Sequence, residues 1–297
     1  MSATTHEGHH VNRAALQQFA ESAMAGRLAA CPACPGGQYH VDRARMPGTW
    51  CAMYAKHVRY WTTGAPQFSI FAKGNIKLPF YAFSAMPGLT CPGAGACLAF
   101  CYSFKAWRFP AAFYRQLENT LMLRSDEGRE IIAMAWEALP YGTTVRLYVD
   151  GDFADDSVLR YWFALMANRP DLAVYGYSKS WALFLGYAAT GDAWPTNYTL
   201  NLSSGSIYGT AMRSRMAALP ITRGEFVALP VANKMPSRRQ ASAAWATWAA
   251  SLKATGKTAG IAKSFVCPGR CGDCLPNGEH ACGSDRFKDI TVLIGIH

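Results

Sequence analysis

The chain has 297 residues, 51% of them hydrophobic, 16% charged and 13% aromatic. That composition excludes a disordered chain, which would be charge-rich and aromatic-poor, and it leaves room for one large core with a small appendage. The net charge of +10 favours polyanionic partners, nucleic acid or nucleotides, although it forms no long Lys/Arg run and is densest at Arg238–Arg239 beside Lys234.

No segment reaches the ~18 apolar residues of a membrane span. The polar start, with His6, His9 and His10, lacks the charged-then-apolar layout of a signal peptide. A cytoplasmic protein with no membrane contact is expected. Its partners would be a nucleic acid or nucleotide on the basic surface, or a host protein.

In chain order, residues 11–30 read as a helix with Leu16, Phe19, Ala20 and Met24 on an apolar face. From Cys31 to about Gly64 the chain reads as irregular, with a Pro/Gly turn cluster around Cys34. Residues 1–65 are therefore read as an N-terminal extension. Residues 68–73 and 77–85 read as two strands of a hairpin turning at Lys73-Gly74-Asn75. Residues 109–139 read as helical, with a break near 125–128.

Strand and helix then alternate. Strands are expected at 144–149, 172–177, 198–202, 225–231 and 290–296, and helices at 157–168, 182–190, 208–219 and 242–254. Asp155 or Asp156 would cap the first of these helices. The alternation implies βα units on a parallel sheet, whose ligand site lies at the C-terminal ends of the strands. Three polar segments fall there: Asp150-Gly151-Asp152, Ser178-Lys179-Ser180 and Ser203-Ser204. The predicted fold is α/β: an incomplete parallel (βα) barrel over 66–255, with a cysteine-rich segment over 256–297 packing on it as a cap.

Ten cysteines in a reducing compartment point to metal ligation rather than disulfides when they cluster. Cys91, Cys97 and Cys101 form a C-x5-C-x3-C array on a Gly/Pro-rich loop after a strand. Three thiolates on one loop leave one metal position open to a substrate. Cys267, Cys271, Cys274 and Cys282 give C-x3-C-x2-C-x7-C, which can close a four-coordinate site for zinc or a [4Fe–4S] cluster, with His280 as a substitute ligand. Cys31, Cys34 and Cys51, with His40 or His57, could make a third site or be buried thiols.

Asp150 and Asp152, as alternate residues of an extended segment, would face one site as acid and base or cation ligands; otherwise they cap the next helix. Lys179 between two serines suits a carboxylate or phosphate, or is a solvated loop lysine. Lys105, Trp107 and Arg108 offer charge and a stacking face, or an amphipathic helix start. His297 is a ligand or an exposed end. No Walker loop, GxSxG elbow, HExxH or GxGxxG motif is present.

The stretches Phe71–Pro79, Leu89–Cys97, Cys101–Ser103, Lys105–Arg108, Asp150–Phe153 and Tyr177–Ser180, with the closing cysteines, resemble the phage and plasmid "gene product 88" family. That resemblance covers about residues 65–297 and implies a mobile-element origin. A more distant similarity is to radical SAM enzymes, whose partial barrel carries a three-cysteine loop after its first strand. It implies a catalytic [4Fe–4S] cluster on Cys91, Cys97 and Cys101. Asp150, Gly151, Asp152, Ser178, Ser203 and Ser204 would then line the S-adenosylmethionine pocket, with Asp150, Asp152 and Lys179 as catalytic groups. The spacing departs from that family's C-x3-C-x2-C, which appears instead near the C-terminus. The alternative is a non-catalytic iron–sulfur or zinc protein that binds nucleic acid or a host protein.

Overall fold

The computed structural model describes residues 12–32, 50–75, 78–231, 236, 242–274 and 280–296. Cys34, His40, Lys234, Arg238, Arg239, His297 and the N-terminal histidines lie outside them. The chain divides into two compact units, residues 1–70 with 102–135, and residues 71–101 with 136–297.

The first unit is helical: α1 (Arg13–Met24), α2 (Trp50–Thr63) and, after three elements of the second unit that end with the short α3 (Cys97–Phe100), α4 (Ser103–Ala106) and α5 (Pro110–Met122); α6 (Asp126–Glu137) runs out of it. α1 starts at Asn12, whose side chain accepts from the Ala15 N–H at 2.7 Å, and it buries Leu16, Phe19, Ala20 and Ala23. The irregular stretch expected to Gly64 contains α2. Its apolar residues recur at helical spacing, and it buries Cys51, Tyr54, Ala55 and His57. Rings fill this core: Phe19 meets Tyr54 and Phe113, and Trp50 meets Phe113 and Tyr114.

One buried polar pin crosses this core. The Glu118 carboxylate accepts from the Gln67 N–H at 2.7 Å and lies 3.0 Å from His57 Nδ1. Trp61 Nε1 can only donate, and it points at His57 Nε2 at 3.1 Å. The imidazole therefore carries its proton on Nδ1 and donates it to Glu118.

The second unit is a mixed α/β fold on one eight-stranded sheet that does not close. Its strands are β1 (Ala72–Asn75), β2 (Leu78–Ala82), β3 (Thr144–Leu147), β4 (Ala173–Ser178), β5 (Tyr198–Ser203), β6 (Thr222–Pro230), β7 (Ser264–Val266) and β8 (Thr291–Ile296). The order is β1-β2-β3-β4-β5-β6-β8-β7, and every pair is parallel except β1 with β2. The hairpin pairs Asn75 with Leu78, so Gly74 and Asn75 belong to β1 and residues 76–77 lie outside the description.

Helices α7 (Asp156–Asn168), α8 (Trp181–Thr190), α9 (Thr210–Ala217) and α10 (Ser242–Thr258) follow β3 to β6. Asp155 caps α7 by accepting from the Val158 N–H at 2.9 Å, and Gly191 ends α8 at φ 75°. Sequential parallel strands joined by right-handed crossovers put their helices on one face. Tyr198, Leu200 and Leu202 point to that face, where Phe163 of α7 packs on Tyr198.

The other face would be bare without a cover. It carries Phe80, Arg146, Tyr175, Tyr177, Asn201 and Phe226 from the five strands β2 to β6; the rings of Phe80, Tyr175, Tyr177 and Phe226 meet in a chain, with Arg146 over Tyr177. The chain after β7 lies on it: Cys282 packs with Tyr175 and Val292, and Asn201 Nδ2 donates to the Cys282 carbonyl at 2.8 Å. β8 itself enters the sheet between β6 and β7.

Candidate functional site

The first cysteine loop begins where β2 runs out. Thr90 Oγ1 donates to the Met86 carbonyl at 2.9 Å and accepts from the Asp152 N–H at 3.2 Å, which joins this loop to the end of β3. Gly151 bends that end. It sits at φ 81°, and a Cβ there would lie 2.7 Å from Thr90 Oγ1, so only glycine suits the position. The bend means that Asp150 and Asp152 do not project together from an extended strand. Asp150 takes the Ser84 hydroxyl at 3.2 Å. Asp152 is buried and turns to the β4–α8 loop.

Asp152 organises that loop. Its Oδ1 accepts from Ser178 Oγ at 2.8 Å and from the Phe153 N–H at 2.8 Å. Its Oδ2 accepts from the Lys179 N–H at 2.7 Å. Burial raises the Asp152 pKa, and these hydrogen bonds and the Lys179 charge oppose the rise. Lys179 Nζ donates to Ser203 Oγ at 2.7 Å, so an ammonium from β4 and a hydroxyl from β5 meet at the same end of the sheet. Ser204 is different: its Oγ accepts from the Ala228 N–H at 2.9 Å and ties β5 to β6.

The thiol loop is pressed onto these strand ends by backbone contacts. Gly95 N–H and Cys97 N–H both donate to the Gly205 carbonyl, at 3.0 and 3.3 Å, and Ala94 bridges Ser206. Gly93 abuts the Lys179 carbonyl so closely that no side chain fits there. Cys91 lies near enough to feel Asp152, Lys179 and Cys101. Burial, then Asp152, pushes its thiol up to about 12. Cys91, Cys101, Asp152, Ser178, Lys179 and Ser203 thus belong to one end of the sheet, with Cys97 buried beneath.

The family model described as gene product 88 matches residues 56–287. The chain belongs to the gene product 88 family. The matched span holds both cysteine arrays and every strand-end segment described above. No curated protein and no solved structure gives a significant match to the chain.

The second array of this gene product 88 chain sits on the covered face of the sheet. The Gly269 N–H points at Cys267 Sγ at 3.4 Å, and Tyr175 Oη at Cys271 Sγ at 3.8 Å. Burial pushes the Cys267 thiol up to about 12 and the Cys282 thiol to about 11, and the neighbouring cysteines add to both. The four are close in charge coupling. Yet among the described residues no three His, Cys, Asp or Glu side chains converge as a ready metal-binding group, at either array. A cavity of about 270 Å³ opens at the opposite, N-terminal end of β4 and β5, lined by Tyr175, Thr199 and His280, away from Lys179.

Two alternatives left open by the sequence are narrowed, each towards its structural reading. Trp107 is 2% exposed and donates to Gln116 Oε1 at 2.9 Å, so it is core and not a stacking face. Cys31 and Cys51 are buried in the helical unit, and Cys34 and His40 lie outside the described residues. Sequence reasoning missed Thr90 and Tyr148. Tyr148 holds φ 58° just before Val149, a left-handed conformation that is uncommon outside glycine, and its hydroxyl takes the Trp162 indole N–H at 3.0 Å. No sequence signal marks it. Among the described residues no helix is long and apolar enough to cross a membrane.

Proposed function

We propose that this gene product 88 protein is an iron–sulfur enzyme of radical-SAM type from a mobile element. Its cluster would be held by Cys91, Cys97 and Cys101. The observation that carries the reading is the meeting of Cys91 with Asp152 and the Lys179–Ser203 pair at the C-terminal ends of parallel strands. The sequential strand order from β2 to β6 is also the order an incomplete barrel needs.

The donor set fits such a centre in kind. Three thiols share one glycine-rich loop, and soft thiolate ligands suit iron–sulfur clusters. When bound, a [4Fe–4S] centre with an open iron supplies one electron to S-adenosylmethionine. The chain's own residues do the rest. Lys179 offers a cation to a carboxylate, and the Ser203 hydroxyl orients it. Ser178, Gly151 and Asp152 fix the loop that carries Lys179, and Asp150 accepts from the Ser84 hydroxyl.

The test is iron, sulfide and zinc content, with an absorption spectrum, on protein purified without oxygen. About four irons and four sulfides at the first array would fit the cluster rules. The Cys91→Ser and Cys97→Ser variants are expected to lose that content while Cys271→Ser keeps it. Full cluster content in both loop variants would sink the assignment. A second reading is a metal-stabilised binding protein without redox chemistry, favoured by the buried Cys282 and the half-buried Cys267, Cys271 and Cys274 on the covered sheet face. Zinc alone and no colour would select it.

A further inference from the structure

The positive charge of this chain is concentrated by the absence of acids. Between Asp42 and Glu118 there is no acidic residue and there are nine lysines and arginines, whereas the other 222 residues carry 20 basic against 19 acidic groups. Nine of the ten net charges therefore belong to one quarter of the sequence. An excess of positive charge of this kind favours a polyanionic partner.

Within that quarter, residues 102–109 show a two-sided turn of helix. Tyr102 and Trp107 hold helical backbone on either side of α4. At about 100° per residue, Tyr102, Lys105 and Arg108 share one arc of the turn and Ser103 and Trp107 share the opposite one; Phe109 follows in extended conformation as the N-cap of α5. Burial follows that division. Ser103 and Trp107 are buried, whereas Tyr102 and Phe109 are 56% and 55% exposed and both cations are exposed. The Arg108 guanidinium lies 4.8 Å from the Phe109 ring centroid.

We propose that this face binds single-stranded nucleic acid. The Tyr102 and Phe109 rings stack bases, and Lys105 and Arg108 neutralise the phosphates between them. Two rings flanking a pair of cations suit a splayed single strand, because every base offers a face to stack on. Duplex recognition would need an element that fits a groove, and α4 is a single turn. Tyr102 directly follows Cys101, but the proposal does not rest on the iron–sulfur reading, and its test needs no cluster.

The experiment is fluorescence anisotropy of a labelled oligothymidylate with the full chain, repeated as salt is raised. We expect binding that weakens with salt and is tighter for the single strand than for a duplex of equal length. Tyr102→Ala with Phe109→Ala should weaken it tenfold or more, the scale of lost base stacking. Lys105→Gln with Arg108→Gln should lower the salt slope by about 1.4, for two phosphate contacts. All four side chains are exposed, so circular dichroism of the variants should match the parent. Equal affinity for duplex, unchanged binding in both double variants, or binding to phosphatidylserine vesicles in place of the oligonucleotide would each overturn the proposal.

Discussion

Asp152 carries the local order of the candidate site. A lone carboxylate after a strand reads as catalytic or capping, and the structure gives it three hydrogen bonds that set the β4–α8 loop. Its raised pKa has a consequence for stability. The folded state holds the proton more tightly than the unfolded chain, so the contribution is full below the ordinary value of 3.8 and is lost as pH rises through the folded value. We expect the stability of the parent relative to Asp152→Asn to fall as pH rises from about 4 towards neutrality, read as urea midpoints at a series of pH values. A difference that grows with pH would show that the hydrogen bonds and Lys179 outweigh burial. Lys179 was legible as a strand-end lysine. Its bond to Ser203 was not, because the two residues come from different strands.

Among the elements, the thiol loop depends on glycines more than on its cysteines. Gly205 sits at φ 77°, and a Cβ there would lie 2.8 Å from Cys97 Cβ. Gly205→Ala combines the left-handed penalty of about 1–2 kcal/mol with a clash against the loop. We expect a loss of at least about 2 kcal/mol in denaturant unfolding. Gly186, inside α8 with nothing within 4 Å, is the control. Gly186→Ala should stabilise by about 0.5–1 kcal/mol through helix propensity. If both changes are neutral, the close packing of the loop on β5 is not what the geometry implies. Most helices and strands of the second unit followed from periodicity. α2 was readable too, at Cys51, Tyr54 and Ala55, but the turn-forming residues before it hid its start. β7, three residues long, gives too little pattern to find.

At the scale of the second unit, one buried arginine joins the sheet to its cover. Arg223 is 1% exposed. Its guanidinium donates to Asn201 Oδ1 at 2.6 Å and to the Phe287 and Ile290 carbonyls at 2.8 Å each. Burial lowers its pKa, and Cys282 is the first charge that opposes this. Arg223→Met would leave these acceptors without donors, at a cost of about 1–3 kcal/mol for each buried group. We expect a large fall in the unfolding midpoint, with early proteolysis near residues 285–290. Parent-like stability and protease resistance would mean that the cover holds by its aromatic contacts alone.

The sequence by itself determined the α/β alternation, the strand ends where polar residues gather, the cysteine arrays and the family, because each is written in local spacing. Only the tertiary structure decided that Asp150 and Asp152 part company at Gly151, that Trp107 is core while Tyr102 and Phe109 face out, and that the segment after β7 lies on the sheet face opposite the helices. Those outcomes depend on contacts between residues far apart in the chain, and no local pattern encodes which distant partner closes over a given side chain.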